Sequence, residues 1–115
     1  MNTEKLNKFL SPELLRAIKL SKSGNYEKAL LLCKRIRKKN EKNPLFFNLL
    51  GIIYRRLGEY RKAKTSSLRA LQLDSELVQG TLNLALIELD KDNFQEAITL
   101  LKDLVEIKPD YYEAF

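Results

Sequence analysis

The sequence contains no histidine, and its 115 residues include only one cysteine, three prolines and four glycines. Without histidine, the chain lacks the side chain that most often acts as a base near neutral pH and the commonest metal ligand, so an enzyme is less expected. A single cysteine, Cys33, cannot form a disulfide within the chain, so nothing indicates an oxidising compartment. The scarcity of proline and glycine favours helices with few breaks.

Long apolar runs and catalytic motifs are missing too. No segment approaches the roughly 18 apolar residues of a membrane span, and the N-terminal "MNTEKLNKFLSPE" lacks the features of a signal peptide. There is no glycine-rich phosphate loop, cysteine pair or Ser-His arrangement. A solvated helix end explains the carboxylates of Glu88, Asp90 and Asp92 better than acid-base chemistry does. We therefore expect a cytoplasmic chain with no catalytic residue, cofactor or metal.

A repeat is the main positive feature of the sequence. The chain is 44% hydrophobic and 31% charged, as expected for a globular or helical protein rather than a disordered one. The stretches "SGNYEKAL", "LGEYRKAK" and "KDNFQEAI" begin at Ser23, Leu57 and Lys91, at an interval of thirty-four residues. A fixed period between about 20 and 50 residues indicates a solenoid built from one supersecondary unit.

Four columns of residues recur at this interval. They are Gly24, Gly58 and Asp92; Tyr26, Tyr60 and Phe94; Ala29, Ala63 and Ala97; and Ala17, Gly51 and Ala85. The first column predicts helix ends with a left-handed residue, a conformation that glycine adopts without strain. The aromatic column is expected to fill the gap between antiparallel helices, and the two small-residue columns let helix axes approach closely. The alternative is an unrelated helical bundle with accidental periodicity.

The same pattern predicts the positions of six helices. The first helices of the three pairs are expected at 12–22, 44–57 and 77–90, and the second helices at 26–40, 60–73 and 94–107. Ser11 and Asn43 are expected to cap the helices that begin with proline, and Ser75 to cap the fifth helix. Pro109 is expected to end the sixth helix.

The second repeat carries a recognisable motif. It reads Phe47-x-x-Leu50-Gly51-x-x-Tyr54, then Gly58-x-Tyr60-x-x-Ala63, then Ala70, and this pattern resembles the tetratricopeptide repeat. The resemblance implies an all-α, right-handed superhelix of three helix-turn-helix repeats, at residues 11–43, 44–77 and 78–110. Residues 1–10 would then be an N-terminal segment able to form a capping helix, and 111–115 the start of a fourth repeat. Departures from the pattern at Arg16, Ser67 and Glu88 do not break the period.

In the resembled family the first helix of each pair lines a concave groove. The residues expected to bind a peptide or helix there are Asn48, Ile52, Arg55, Gln79, Asn83 and Leu86. A groove with an apolar floor and a few amides suits an amphipathic helix or an extended peptide. For the apolar groove positions, including Leu14, Ile18 and Leu49, burial in the core is an equally good interpretation.

One ligand class of the family is not expected. Some family members grip the C-terminal carboxylates of heat-shock chaperones with lysine, asparagine and arginine side chains in the groove. The residues at the matching places carry no positive charge; they are Leu14, Ile18, Leu49, Gln79 and Asn83. We therefore do not expect this chain to clamp a chaperone tail.

Charge is distributed unevenly along the chain. Residues 1–43 contain 12 basic and 4 acidic residues, whereas residues 78–115 contain 3 basic and 8 acidic ones. The strongest basic run, which we call the basic patch, consists of Lys34, Arg35, Arg37, Lys38 and Lys39. It is explained either as a solvated helix end, which the helix dipole favours, or as a site for an acidic partner or nucleic acid. The run has no interleaved aromatic residues, which weakens the case for single-strand recognition.

The sequence thus predicts a protein–protein interaction module or scaffold that binds a protein or peptide in the concave groove. The alternative is a nucleic-acid-binding repeat that uses the basic N-terminal third. The chain stops a few residues into the apparent fourth repeat, which we expect of an N-terminal piece of a longer protein. The competing interpretation is self-association through the face of the last repeat, where Ile98, Leu101, Leu104 and Val105 are expected to lie bare.

Overall fold

The computed structural model of the chain describes residues 8–107, and all regular structure in that range is helical. The elements in chain order are α1 (Pro12–Lys22), α2 (Tyr26–Ile36), a 3₁₀ helix (Arg37–Asn40), α3 (Pro44–Arg56), α4 (Tyr60–Leu73), α5 (Val78–Asp90) and α6 (Phe94–Ile107). Consecutive helices form three pairs that stack into a solenoid, which confirms the predicted all-α fold. No helix of residues 8–107 is long and apolar enough to cross a membrane. The expectations for residues 1–7, Pro109 and the fourth repeat concern residues outside this range.

The same turn joins the two helices of every pair. Gly24 and Gly58 have φ of +85° and +78°, and Asp92 takes the equivalent left-handed conformation with φ of +64°. In each turn, the N–H of the next residue donates to a carbonyl five residues earlier, at 2.8 Å in all three cases. These bonds satisfy carbonyl groups that the helix end would otherwise leave unpaired. The predicted left-handed helix ends are confirmed.

Two of the predicted caps are present. The Leu14 N–H donates to Ser11 Oγ at 3.2 Å, and the Leu45 N–H donates to Asn43 Oδ1 at 3.0 Å. The Asn43 amide also donates to the Phe9 carbonyl at 2.8 Å, which ties the N-terminal segment to the start of α3. Each cap satisfies an N–H group in the first turn of its helix.

The prediction that Ser75 caps the fifth helix is wrong. Helix α5 begins at Val78, and the residue before it, Leu77, provides no side-chain cap. The side chain of Asp74 accepts a hydrogen bond from the Glu76 N–H at 3.1 Å instead. Aspartate often closes such a local turn through its side chain, and the helix begins two residues later than a Ser75 cap would place it.

Helix α2 is shorter than predicted. It ends at Ile36 rather than at residue 40, and the chain continues as the short 3₁₀ helix. The Asn40 side chain donates to the Ile36 carbonyl at 2.8 Å and accepts from the Asn43 amide at 2.9 Å. Because a buried side chain satisfies the last carbonyl, the α-helical bonding pattern is not required to continue.

The core lies mainly within the first two helix pairs. The small-residue columns are confirmed, since Ala17, Ala29, Ala63, Ala85 and Ala97 are all 0% exposed. One connected cluster of buried side chains fills the space between these pairs; its members include Leu14, Cys33, Ile36, Phe46, Phe47, Leu49, Leu50, Ile53 and Leu77. The small residues let the helices approach closely enough for the larger side chains to pack without voids.

The prediction that the three aromatic residues occupy equivalent sites between helices is wrong for Phe94. Tyr26 and Tyr60 are half-buried, while Phe94 is 56% exposed. Arg56, from the next helix pair, covers Tyr26 with its guanidinium group 5.5 Å from the ring centre. No helix pair comes after Phe94 within residues 8–107, so no such cover is available there. Tyr26 therefore contacts the next repeat in addition to the core cluster.

Candidate functional site

A cleft of about 290 Å³ lies between α1 and α3 on the side expected to be the groove. Its apolar surface comes from Ile18, Leu49 and Ile52, with Tyr26 and Arg55 at its edge. Ile18 and Ile52 remain half-exposed, whereas Leu49 is 5% exposed and belongs to the core. Leu14 and Leu49 are therefore core residues, whereas Ile18 and Ile52 keep partly exposed side chains.

A second cleft of about 400 Å³ adjoins the first and shares three of its residues. It is lined by Tyr26, Arg55, Arg56, Tyr60 and Asp90. The Arg56 Nε–H donates to the Tyr26 hydroxyl at 2.9 Å. We call the two clefts together the groove. The sequence did not indicate Tyr26, Arg56 or Tyr60 as groove residues. The repeat pattern gave both tyrosines a packing role, and it does not include Arg56.

Arg55 joins the second helix pair to the third on the groove side. Its Nη1 lies 3.0 Å from Asp90 Oδ2, and the two side chains are 17% and 34% exposed. The buried Arg55 Nε has no hydrogen-bond partner among the described residues. A buried N–H donor without an acceptor costs free energy.

Asn48 and Asn83 are brought together directly. The Asn83 amide donates to Asn48 Oδ1 at 2.7 Å, across thirty-five residues of sequence. Asn83 is only 6% exposed, while Asn48 is half-buried. The pair links α3 to α5, so part of the hydrogen-bonding capacity expected for a ligand is used inside the protein. Asn48 keeps the more accessible position of the two.

Gln79 and Leu86 lie on α5 and line neither cleft. Gln79 is exposed, and Leu86 is half-buried. Of the six residues predicted for the groove, the structure gathers Ile52 and Arg55 in the clefts and places Asn48 beside Asn83. Gln79 and Leu86 lie on the same helix as Asn83 but contribute to neither cleft.

The interpretation of Glu88 as a solvated helix-end residue is wrong. Glu88 is 1% exposed, and its Oε2 accepts a hydrogen bond from the Asn93 amide at 2.7 Å. Its Oε1 lies 3.4 Å from the Lys64 ammonium group. The Asn93 hydrogen bond, together with Lys64, holds the pKa of Glu88 below its usual range, although burial acts in the opposite direction. The carboxylate is thus a charged internal link between α4, α5 and the last turn.

The five side chains of the basic patch are all exposed, at the end of α2 and in the 3₁₀ helix. Cys33, on the same helix, is 0% exposed, and burial raises the pKa of its thiol to about 12. A thiol with such a pKa stays neutral and unreactive near neutral pH. Within the described range, no three Cys, Asp or Glu side chains are grouped so that they could hold a metal ion.

Comparison with known proteins places this geometry in context. The sequence profile of the tetratricopeptide repeat family matches residues 48–112. Sperm-associated antigen 1 of Rattus norvegicus is 30% identical over 95 residues, which cover 83% of this chain and 11% of that protein. The chain therefore spans about a ninth of the length of this relative.

A solved structure, that of the MamA RS-1 ArsTM double mutant, superposes with a TM-score of 0.77 over 86% of this chain and 56% of its own. The identity between the two chains is 19%, so the likeness concerns the fold alone.

Proposed function

The chain belongs to the tetratricopeptide repeat family, and we propose that it binds a peptide segment of a partner protein in the groove. Repeats of this family generally mediate protein–protein interaction, and the proposal assigns the chain no catalytic role. The observation that carries the proposal is the pair of adjoining clefts, of about 290 and 400 Å³, that share Tyr26, Arg55 and Arg56.

The chemistry of the groove supports a ligand with one apolar side chain beside an acidic group. Ile18 and Ile52 offer half-exposed apolar surface in the first cleft. Lys22, Arg55 and Arg56 carry positive charge around the clefts, and Asp90 is the one acidic residue of the described range that lines them. An apolar anchor fixed by a few polar groups is the usual composition of a peptide site.

Selection from a random peptide library followed by affinity measurement tests the proposal. The groove variant combines Ile52→Asn with Arg55→Gln, which removes one apolar contact and one cation from the clefts. Peptides selected on the wild-type chain should bind this variant about tenfold or more weakly, because it loses an apolar anchor and a charged hydrogen bond.

A matched control variant combines Leu31→Asn with Arg61→Gln. Leu31 is 64% exposed and Arg61 is exposed, and neither residue lines the groove. This control makes a similar change in hydrophobicity and the same change in charge, and should keep the wild-type affinity. Equal binding by the groove variant and the wild-type chain would overturn the proposal.

Self-association through the last helix is a second candidate function. Phe94 and Ile98 are 56% and 43% exposed, which leaves apolar surface on α6, although Leu104 is buried at 5%. If this surface pairs two chains, light scattering should show a dimer at high concentration that Ile98→Lys abolishes. A strict monomer across the concentration range would contradict self-association.

The cytoplasmic location also belongs to the proposal, and it is supported by the free, buried Cys33 thiol. Nucleic-acid binding by the basic patch is not adopted. Phe46 and Phe47 are both buried, so the aromatic rings next to the patch are not presented for base stacking.

A further inference from the structure

We propose that a second binding site, on the outer side of the solenoid, takes an acidic segment of a partner protein. The site, which we call the outer cleft, has a volume of about 410 Å³ and is formed mainly by Arg37, Phe47, Leu68, Arg69 and Gln72. It shares no residue with the groove. The proposal goes beyond the function proposed above and does not depend on it.

Two arginines meet over one aromatic ring at the outer cleft. The guanidinium carbon of Arg37 lies 5.4 Å from the centre of the Phe47 ring, and that of Arg69 lies 5.7 Å from the same centre. Phe47 is only 5% exposed, so the ring serves as a platform beneath the two cations. Stacking on an aromatic face restricts a guanidinium group and leaves its N–H edge free to bind an anion.

The two arginines lack an acidic partner within the described part of the chain. The three ion pairs of residues 8–107 involve Arg55 and Lys64 and include neither Arg37 nor Arg69. Arg69 donates only long hydrogen bonds, at 3.3 Å to the Gln72 side chain and at 3.4 Å to the Glu41 carbonyl. Guanidinium groups that are held in place but not neutralised favour carboxylate ligands, which accept paired N–H donors.

The charge around the outer cleft points to the same class of ligand. Residues 34–42 contain six basic residues and one acidic residue, Glu41, and the basic patch is exposed beside the cleft. Leu68, which is 46% exposed, adds apolar surface at the rim. A peptide with spaced Asp or Glu residues and a neighbouring apolar side chain complements this surface. A nucleic acid fits it less well, because the Phe47 ring is covered and cannot stack on a base.

Fluorescence anisotropy at low salt tests the outer cleft. The probe is a short labelled peptide of Glu and Leu residues, and its matched controls are the same peptide with Gln for Glu and an oligouridine RNA. The Glu peptide should bind more tightly than either control. The double variant Arg37→Gln/Arg69→Gln should weaken this binding by about tenfold or more, because each guanidinium group makes charge-assisted hydrogen bonds.

Three further variants separate this site from a general charge effect and from the groove. Arg35→Gln/Arg61→Gln removes two exposed cations that do not line the cleft and should weaken binding much less. Arg37→Lys/Arg69→Lys keeps the charge but loses the forked donors, and should fall between the wild type and the Gln variant. Added to the groove variant Ile52→Asn/Arg55→Gln, the Arg37→Gln/Arg69→Gln pair should weaken binding of the Glu peptide by about the same factor as in the wild type, because the two clefts share no residue. Thermal melts confirm that each variant is folded.

Several outcomes would overturn the proposal. Equal losses of Glu-peptide affinity in Arg37→Gln/Arg69→Gln and in Arg35→Gln/Arg61→Gln would show a general charge effect. Tighter binding of the RNA than of the Glu peptide would show the wrong class of ligand. Loss of Glu-peptide binding in the groove variant alone, or no binding of this peptide at low salt, would show that the outer cleft is not its site. A failure here leaves the groove proposal intact, because the peptide selection uses different residues.

Discussion

The two junctions between successive helix pairs are held together by different means. Between the first and second pairs, a single buried apolar cluster joins residues from Leu14 to Leu77, and none of its members lies on α5 or α6 within the described range. Between the second and third pairs there are four polar links within the described residues: Asn48 with Asn83, Arg55 with Asp90, and Lys64 with both Glu88 and Glu96.

Apolar packing and polar links have different physical consequences. Burial of apolar surface contributes most of the free energy of folding and depends little on orientation. Hydrogen bonds and ion pairs add less net free energy but require defined partners and distances. We therefore expect the buried cluster of the first two pairs to be the larger apolar contribution to stability, while the polar links help to fix how the third pair is placed beside the groove.

The largest expected effect comes from breaking the apolar junction. Phe46 is 0% exposed and packs edge-on against Phe47, with ring centres 5.2 Å apart. Phe46→Ala should lower the free energy of unfolding by about 3–5 kcal/mol, because it removes a buried ring and leaves a cavity. Chemical denaturation measures the loss. Leu31→Ala, at an exposed position, serves as the control and should change the free energy of unfolding by about 0.5 kcal/mol or less. If Phe46→Ala also changed the free energy of unfolding by no more than this, the account would be contradicted.

The polar junction should respond to pH. Glu88→Gln keeps the shape of the side chain but removes its charge, and should cost about 1–3 kcal/mol at pH 7, since hydrogen bonds to charged groups have this strength. The pKa of Glu88 is lowered in the folded chain. The ionised Glu88 side chain therefore stabilises the folded chain fully above the ordinary glutamate pKa, which is about 4.3. This stabilisation is lost as the pH falls through the lower pKa that Glu88 has in the folded chain.

Denaturation of the wild-type chain and of Glu88→Gln, repeated at several pH values, checks this expectation. The difference in unfolding free energy should be constant from neutral pH down to about 5 and should shrink below about 4. A difference that persists unchanged at acid pH would show that the charge of Glu88 does not matter. The exposed Glu59→Gln provides the control for the loss of one negative charge.

The smallest expected effect compares the turns of the second and third pairs. Asp92 adopts φ of +64°, whereas Gly58 stands at the equivalent position with φ of +78°. A left-handed conformation costs a residue with a Cβ atom about 1–2 kcal/mol, though aspartate tolerates it better than most. Asp92→Gly should therefore stabilise the chain by about 0.5–1 kcal/mol, and Gly58→Asp should destabilise it by a similar amount. Thermal or chemical denaturation of both variants measures the two changes in unfolding free energy. Changes of the same sign would contradict the expectation.

The period of thirty-four residues was sufficient to predict the helices, the turns and the small-residue columns. These features depend on local conformation and on close approach between helices, and both are visible in the spacing of glycine and alanine. The exposure of Phe94 was not predicted, because it depends on the cover that a neighbouring helix pair provides rather than on the repeat itself. The early end of α2 depends on the side chains of Asn40 and Asn43, which the repeat pattern does not include.

The polar links were missed for a different reason. Asn48 and Asn83 were predicted to face a ligand, and the sequence did not show that they face each other. Both this pair and the pair of Arg55 with Asp90 are separated by thirty-five residues, one more than the repeat. Opposite charges thirty-five residues apart on α3 and α5 are the signal that could have revealed the second pair. Glu88 gave no such signal, because Lys64 and Asn93 lie at unrelated spacings.

Hydrogen exchange of backbone amides, measured with and without a peptide selected on the groove, tests the central claim most directly. In the free chain, amides of α3 and α4 should be better protected than those of α5 and α6, because the apolar cluster lies in the first two pairs. Bound peptide should raise protection in α1 and α3, around Ile52 and Arg55, and leave the C-terminal half of α2, which lies away from the clefts, unchanged. Uniform protection of all six helices in the free chain, or peptide-induced protection confined to α2 and α4, would contradict the account.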